Sequence, residues 1–360
     1  MNVLEYKCPN CGGAITFSSA SQQMTCGHCG ASFDPEALRR YDEEMRNPQE
    51  ESYGWNEYDG EAMNSGELSG MRAYSCPSCG GEIVGDKNTV ATSCPYCGNP
   101  AILQGKLSGM LRPDCLIPFK LDKAAAKQAL TKHLKGKPLL PKLFKTQNRL
   151  DSITGIYVPF WLFGCDTHAR IRYRATQTKS WSDSKYNYTR TDYYQLIREG
   201  DVGFANVPVD GSQKMDDAYM EAIEPFDYNQ LTGFQSAYLA GYLADKYDVD
   251  AEQSKSRANE RVKRSTEAVF ASTAAGYTTC VPESTNIQFS NGSVQYALMP
   301  VWMLNTKYKD KMYTFAMNGQ TGRLVGELPV SWGKFWAWVA GISVGLTAVV
   351  SVLLLLAVLA

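Results

Sequence analysis

Tyr6-Lys7-Cys8-Pro9-Asn10-Cys11-Gly12-Gly13 returns sixty-eight positions later as Tyr74-Ser75-Cys76-Pro77-Ser78-Cys79-Gly80-Gly81. Each octet is completed by a second pair at the same offset, Cys26 and Cys29 in the first copy and Cys94 and Cys97 in the second, so both copies space their cysteines as C-x2-C-x14-C-x2-C. Four thiolates on two short turns can close a tetrahedral shell, which identifies two zinc ribbons. Glycine follows the second cysteine of every pair, at Gly12, Gly30, Gly80 and Gly98. A residue without Cβ lets the chain turn there and bring backbone N–H groups toward the sulfurs. The expected ligands are Cys8, Cys11, Cys26 and Cys29 for one ion and Cys76, Cys79, Cys94 and Cys97 for the other. Zinc is favoured over a rubredoxin-like iron, the other ion that four thiolates hold.

Eight of the eleven cysteines are used in this way. In a chain that starts without a charged segment and an apolar signal core, that usage implies ligation in a reducing compartment and a cytosolic N-terminus. Cys115, Cys165 and Cys280 stand alone and are expected as small buried side chains. His28, inside a knuckle whose shell is already complete, is expected to face solvent.

The ribbons occupy residues 1–33 and 74–104. Between them, residues 34–73 carry eleven acidic against four basic side chains, the composition of a solvated, flexible linker. Within it, Asp34 and Pro35 can open a short helix. Residues 103–150 reverse the sign, with eleven Lys/Arg against two Asp. Asp122 is placed to cap a helix that runs to about Leu134 and stops at Gly136. From Gly155 the pattern turns to strands, with Ala169, Ile171 and Tyr173 on one face and Arg170, Arg172 and Arg174 on the other. Further strands are expected over 187–210 and 278–327, helices over 229–246 and 251–275, and a tight hairpin turn at Asn318-Gly319. Val158-Pro159-Phe160-Trp161-Leu162-Phe163 is echoed by Met299-Pro300-Val301-Trp302-Met303-Leu304. Residues 105–331 thus form an α+β domain rich in antiparallel sheet.

Phe335 to Ala360 contains no charged residue. At about 1.5 Å per residue, its length exceeds the roughly 30 Å hydrocarbon core, which predicts one transmembrane helix. Trp332, Trp336 and Trp338 supply an interfacial belt, and Lys334 marks the cytoplasmic flank. The expected location is the cell membrane, single-pass, with a cytoplasmic N-terminus and the lipid bilayer as a partner.

Function is constrained mostly by exclusion. The net charge is −1, and each ribbon is nearly neutral, so neither offers a surface for phosphates. Nucleic acid is therefore a poorer partner than protein, and its best candidate surface is the basic 103–150 stretch, which an anionic membrane surface explains as well. Only His28, His133 and His168 are present, with no phosphate loop or nucleophile elbow, so no enzyme activity is expected. His168 beside Asp166 is read as a solvent-facing strand residue. Tyr6, Phe17, Phe33, Tyr74 and Tyr96 are candidate contacts for a protein.

The twin C-P-x-C-G-G knuckles resemble those of bacterial proteins with transcription-factor-IIB-type zinc ribbons. So do Ile117-Pro118-Phe119-Lys120-Leu121 before a Lys-rich helix, the stretch Tyr157 to Phe163, and Asn318-Gly319-Gln320-Thr321-Gly322 before the span. The combination is similar to the YdjG-like membrane proteins found beside SPFH-type (stomatin-like) proteins and phage-shock protein A homologues. The resemblance implies an adaptor that recruits an SPFH-type or phage-shock-like cytosolic protein to the membrane in envelope stress. Another membrane protein is an additional candidate partner.

Overall fold

The computed structural model describes residues 6–46, 51–86, 93–99, 103–105, 110–146 and 150–359. Parts of the expected ribbon two (87–92 and 100–102), two cations of the basic stretch (Lys106 and Arg149) and the last residue of the span (Ala360) lie outside them. The chain partitions into two compact units, one of Met1–Glu57, Phe163–Val207 and Lys255–Val294, the other of Tyr58–Leu162, Pro208–Ser254 and Gln295–Ala360.

In chain order the elements begin with β1 (Ile15–Ser18), β2 (Gln23–Cys26), β3 (Ser32–Phe33), α1 (Pro35–Arg46), α2 (Ser65–Ser69), β4 (Met71–Ser75), β5 (Glu82–Asp86), β6 (Leu103–Gly105), β7 (Cys115–Leu116) and α3 (Lys123–Leu134). They continue with β8 (Thr154–Ser182), β9 (Asn187–Asp210), α4 (Asp217–Ala222), β10 (Thr232–Gly233), β11 (Leu243–Asp245), α5 (Ala251–Ser272), β12 (Thr279–Tyr308), β13 (Lys311–Asn318), β14 (Leu324–Gly326) and α6 (Trp332–Leu359).

In the first unit, β1-β2-β3 form a small antiparallel sheet with Ile15 opposite Cys26 and Met24 opposite Phe33. Asp34 caps α1, its Oδ1 accepting from the N–H of Glu36 (2.9 Å) and Ala37 (3.0 Å). The unit's core joins Ala169, Ile171 and Tyr173 of β8 to Val262 and Phe270 of α5 and to Ile287 and Phe289 of β12. The alternation along β8 holds with one exception. Arg172 is also buried, because its guanidinium lies 4.5 Å over the ring of Tyr41 on α1.

The expected flexible linker is a correction. Beyond α1, residues 51–57 lie along β12, with Phe289 N donating to Ser52 O (2.9 Å), Gly292 N to Gly54 O (3.1 Å) and Trp55 Nε1 to Asn259 Oδ1 (2.6 Å). Glu51 pairs with Lys263 at 2.7 Å. Within the second unit α2 and β4 follow, and Glu67 pairs with Arg112 at 3.0 Å. Acidic composition reads as solvation, yet backbone groups pair with a sheet edge whatever their side chains, and basic partners offset the acids.

The second unit carries a mixed, mostly antiparallel sheet in the order β10-β7-β12-β8-β11-β5-β4-β6, with β13 and β14 continuing from β12. The echoed segments are its buried centre: Val158–Leu162 and Met299–Leu304 lie on the neighbouring strands β8 and β12. The region read as helix over 229–246 instead holds two short 3-10 turns with β10 and β11, since Gly233 and Gly241 interrupt it and Gly241 sits at φ +82°. A hairpin does turn at Asn318-Gly319, joining β13 to β14, but the two-residue turn lies one strand earlier. Lys309 and Asp310, at φ +49° and +61°, turn β12 into β13. Asn318 heads a wider loop, its Oδ1 accepting from Gln320 N (2.9 Å) and Thr321 N (3.0 Å), and Gly322 takes the positive φ.

Asp122 caps α3, as its spacing predicts, with Oδ1 accepting from Ala125 N at 2.8 Å, and Gly136 at φ +74° follows its end. The α3 face of Ala126, Leu130 and Leu134 packs with Phe144, Trp302 and Phe315. Within α6, Trp332–Ala357 has mean hydropathy 2.5 and no buried portion, long and apolar enough to cross a membrane.

Candidate metal centres

Both cysteine quartets come together as their spacing predicts. In each, the four Sγ atoms lie within 4.8 Å of one another. Cys8–Cys29 and Cys11–Cys26 are 3.6 and 3.5 Å apart, and Cys76–Cys97 and Cys79–Cys94 are both 3.6 Å apart. A tetrahedron with Zn–S bonds of about 2.3 Å has edges of about 3.8 Å, so either quartet fits such an ion with little adjustment.

The knuckles explain the paired glycines. Gly12, Gly30, Gly80 and Gly98 sit at φ +72°, +72°, +70° and +69°. Their N–H groups donate back to the carbonyls of Cys8, Cys26, Cys76 and Cys94 at 2.8–2.9 Å. The second glycine of each octet is needed for closeness: a Cβ on Gly81 would meet the Tyr96 ring at 2.8 Å, and one on Gly13 would meet His28 Cβ at 3.2 Å. In ribbon one, the backbone N–H groups of Cys29 and His28 lower the Cys26 thiol, whereas burial raises that of Cys8 in the same quartet.

The two centres differ in their surroundings. Ribbon one has its own sheet, with Phe17 exposed and Tyr6 and Phe33 half-buried. Ribbon two is built into the second unit, because β5 pairs antiparallel with β11, Leu243 opposite Gly85, and β11 pairs in parallel with β8. Cys76 and Cys94 are buried with Tyr74, Ile83, Val158 and Leu243 in that unit's core. The reading of Tyr74 and Tyr96 as exposed contacts is therefore corrected: Tyr74 is buried, and the Tyr96 hydroxyl is buried beside the Asp245 carboxylate. A boundary between ribbon two at 74–104 and the domain at 105–331 does not exist in the sheet.

Several supporting residues escaped the sequence reading. Asn305 Nδ2 donates to the carbonyls of Pro95 and Tyr96 in the second knuckle, and its Oδ1 accepts from Thr314 Oγ1 at 2.6 Å. An amide directly after the apolar run from Tyr296 to Leu304 was the available signal. Ser212 Oγ donates to Asp245 Oδ2 at 2.6 Å, and burial raises the Asp245 carboxyl to about 7. Lys246 pairs with Glu82 of β5 at 3.1 Å.

His28 is exposed. His168 is half exposed, with Nδ1 2.8 Å from Asp201 Oδ1, a contact that raises its pKa. Cys165 is buried, and Cys115 and Cys280 are partly so.

A Bacillus subtilis (strain 168) protein, YdjG, described as uncharacterized, is 35% identical to this chain over 343 residues, which span 95% of each. No protein-family model and no solved structure matches the chain.

Proposed function

This chain belongs to the family of the Bacillus subtilis protein YdjG, and from the two cysteine centres and the apolar helix α6 we propose that it is a membrane-anchored zinc-ribbon adaptor. In this reading each quartet holds one zinc ion, α6 crosses the bilayer once, and the N-terminus is cytosolic, where thiolates stay reduced. The partner is a cytosolic protein, an SPFH-type scaffold, recruited in the envelope-stress response. The role is non-enzymatic.

The observation that carries the adaptor reading is the unequal placement of the ribbons. Ribbon two buries Tyr74 in a core and packs the half-buried Tyr96 against it, whereas ribbon one keeps Phe17 at 53% exposure on a sheet of its own. A metal-stiffened sheet with an exposed aromatic side chain suits protein contact, since rigid aromatic anchors dominate such interfaces. The partner should therefore dock on ribbon one.

Detergent extraction of the tagged full chain, followed by identification of what co-purifies, tests this. Recovery of an SPFH-type protein with the wild type, and its loss with Phe17→Ser at unchanged zinc content, is the expected result. Equal recovery with both chains would move recognition away from ribbon one, and recovery of nucleic acid in place of protein would favour a membrane-tethered nucleic-acid binder.

A further inference from the structure

The start of α6 is tied to two adjacent carbonyls of the same unit, one through Ser331, just before the helix, and one through Lys334 in its first turn. Ser331 N donates to Leu139 O at 2.8 Å, and Lys334 Nζ donates to Leu140 O at 2.6 Å. Both carbonyls belong to the segment Lys120–Lys145, which contains eight lysines and a single acid, Asp122. That acid is engaged in capping α3. The segment turns Leu130, Leu134, Leu140 and Phe144 into the core, and Lys120, Lys123, Lys132, Lys135, Lys142 and Lys145 are left exposed.

Chain length bounds how far these cations can be from the span. Lys142 is two residues from Leu140, and Lys135 is four from Leu139. At no more than about 3.6 Å per residue, their backbones lie within about 7 and 14 Å of carbonyls bonded to the start of α6. Lys145, five residues on, is within about 18 Å. Trp332, Trp336 and Trp338 are exposed on that same stretch of helix. Tryptophan favours the headgroup level, which puts Leu139 and Leu140 at that level too. The screening length at physiological salt is about 8 Å, so Lys142 lies within one screening length of that level, and Lys135 and Lys145 lie within about two, where the attraction is weaker.

The geometry points to a lipid-binding platform, in which Lys135, Lys142 and Lys145, carried by the segment that is hydrogen-bonded to the start of α6, bind anionic headgroups. The inference rests on α6 spanning the bilayer. It gives the basic segment a membrane ligand through charge complementarity and continuity with the span, and makes nucleic acid the competing occupant. Each such lysine near an anionic surface is worth about a factor of five in binding.

The test uses the full chain in nanodiscs made either of phosphatidylcholine alone or with phosphatidylglycerol added. Acylation rates of Lys135, Lys142 and Lys145 are followed by mass spectrometry. The platform predicts rates about fivefold or more lower in the anionic discs, recovering at about 1 M salt where screening shortens to about 3 Å. K135Q/K142Q/K145Q, which changes only exposed side chains, should enter discs equally but lose its selective retention of phosphatidylglycerol. Equal labelling in both kinds of disc overturns the platform while leaving the span intact, and failure to enter discs overturns both. Protection that appears only with added duplex DNA overturns it in favour of nucleic acid.

Discussion

Replacing Cys94 with serine should unfold much more than a ribbon. Cys94 is 1% exposed and packs in the cluster that contains Tyr74, Ile83, Val158 and Leu243. Losing one ligand forfeits much of a metal-binding free energy on the order of 10–16 kcal/mol, which a ribbon needs to fold. If the knuckles open, β4 and β5 lose their connection, and Tyr74, Ile83 and Val84 return to water at about 1.5–3 kcal/mol each, or about 5–9 kcal/mol together. A domain is stable by about 5–15 kcal/mol in total, so the loss is comparable to the whole. It also reaches the centre, because β5 is the neighbour of β11 and β11 is the neighbour of β8. Hydrogen exchange with mass spectrometry on the zinc-loaded full chain in detergent reads this directly. In Cys94→Ser, protection should fall in Thr154–Leu162 and Gln295–Leu304, whereas in Cys26→Ser the loss should stay within ribbon one and α1. Native protection of Thr154–Leu162 in Cys94→Ser, with exchange confined to β4 and β5, would refute the claim that ribbon two is part of the core.

Metal analysis should find two zinc ions per chain, and acidification from pH 8 to about 5 should release them to a chelator, because protons compete for thiolates; stoichiometric iron with a thiolate charge-transfer band would contradict zinc. Asn305→Ala removes the donor shared by the Pro95 and Tyr96 carbonyls and should lower urea stability by about 2–4 kcal/mol, and an unchanged midpoint would show those bonds to be dispensable. Asp245 holds its proton more tightly folded, at about 7, than unfolded, at about 3.9. Its contribution is therefore fully present below about pH 4 and lost as pH rises through about 7. Relative to Asp245→Asn, the wild type should lose a few kcal/mol across that window, and parallel stability curves for the two proteins would rule this out. An engineered Ser69→Cys should resist a membrane-impermeant thiol reagent in intact cells, and labelling there would reverse the proposed orientation.

Local chemistry was legible in the sequence, and non-local pairing was not. The ligand quartets follow from C-x2-C spacing and from glycines that must take positive φ, and both requirements act within a few residues. The caps at Asp34 and Asp122 and the uncharged length of α6 are local in the same sense. Tertiary structure decided what the ribbons are joined to. Nothing within residues 74–99 says that β5 will find β11 some 160 residues later, because strand pairing uses backbone groups that every residue carries. For the same reason an acidic stretch read as a tether became an edge partner of β12, and of two tyrosines read as recognition surface Tyr74 became core and Tyr96 packed against it. Asn305, Asp245 and the Leu139–Leu140 seat of α6 gained their roles only when distant segments met. Burial, which turns an ordinary amide or carboxyl into a structural necessity, is a property of the folded neighbourhood and not of the residue.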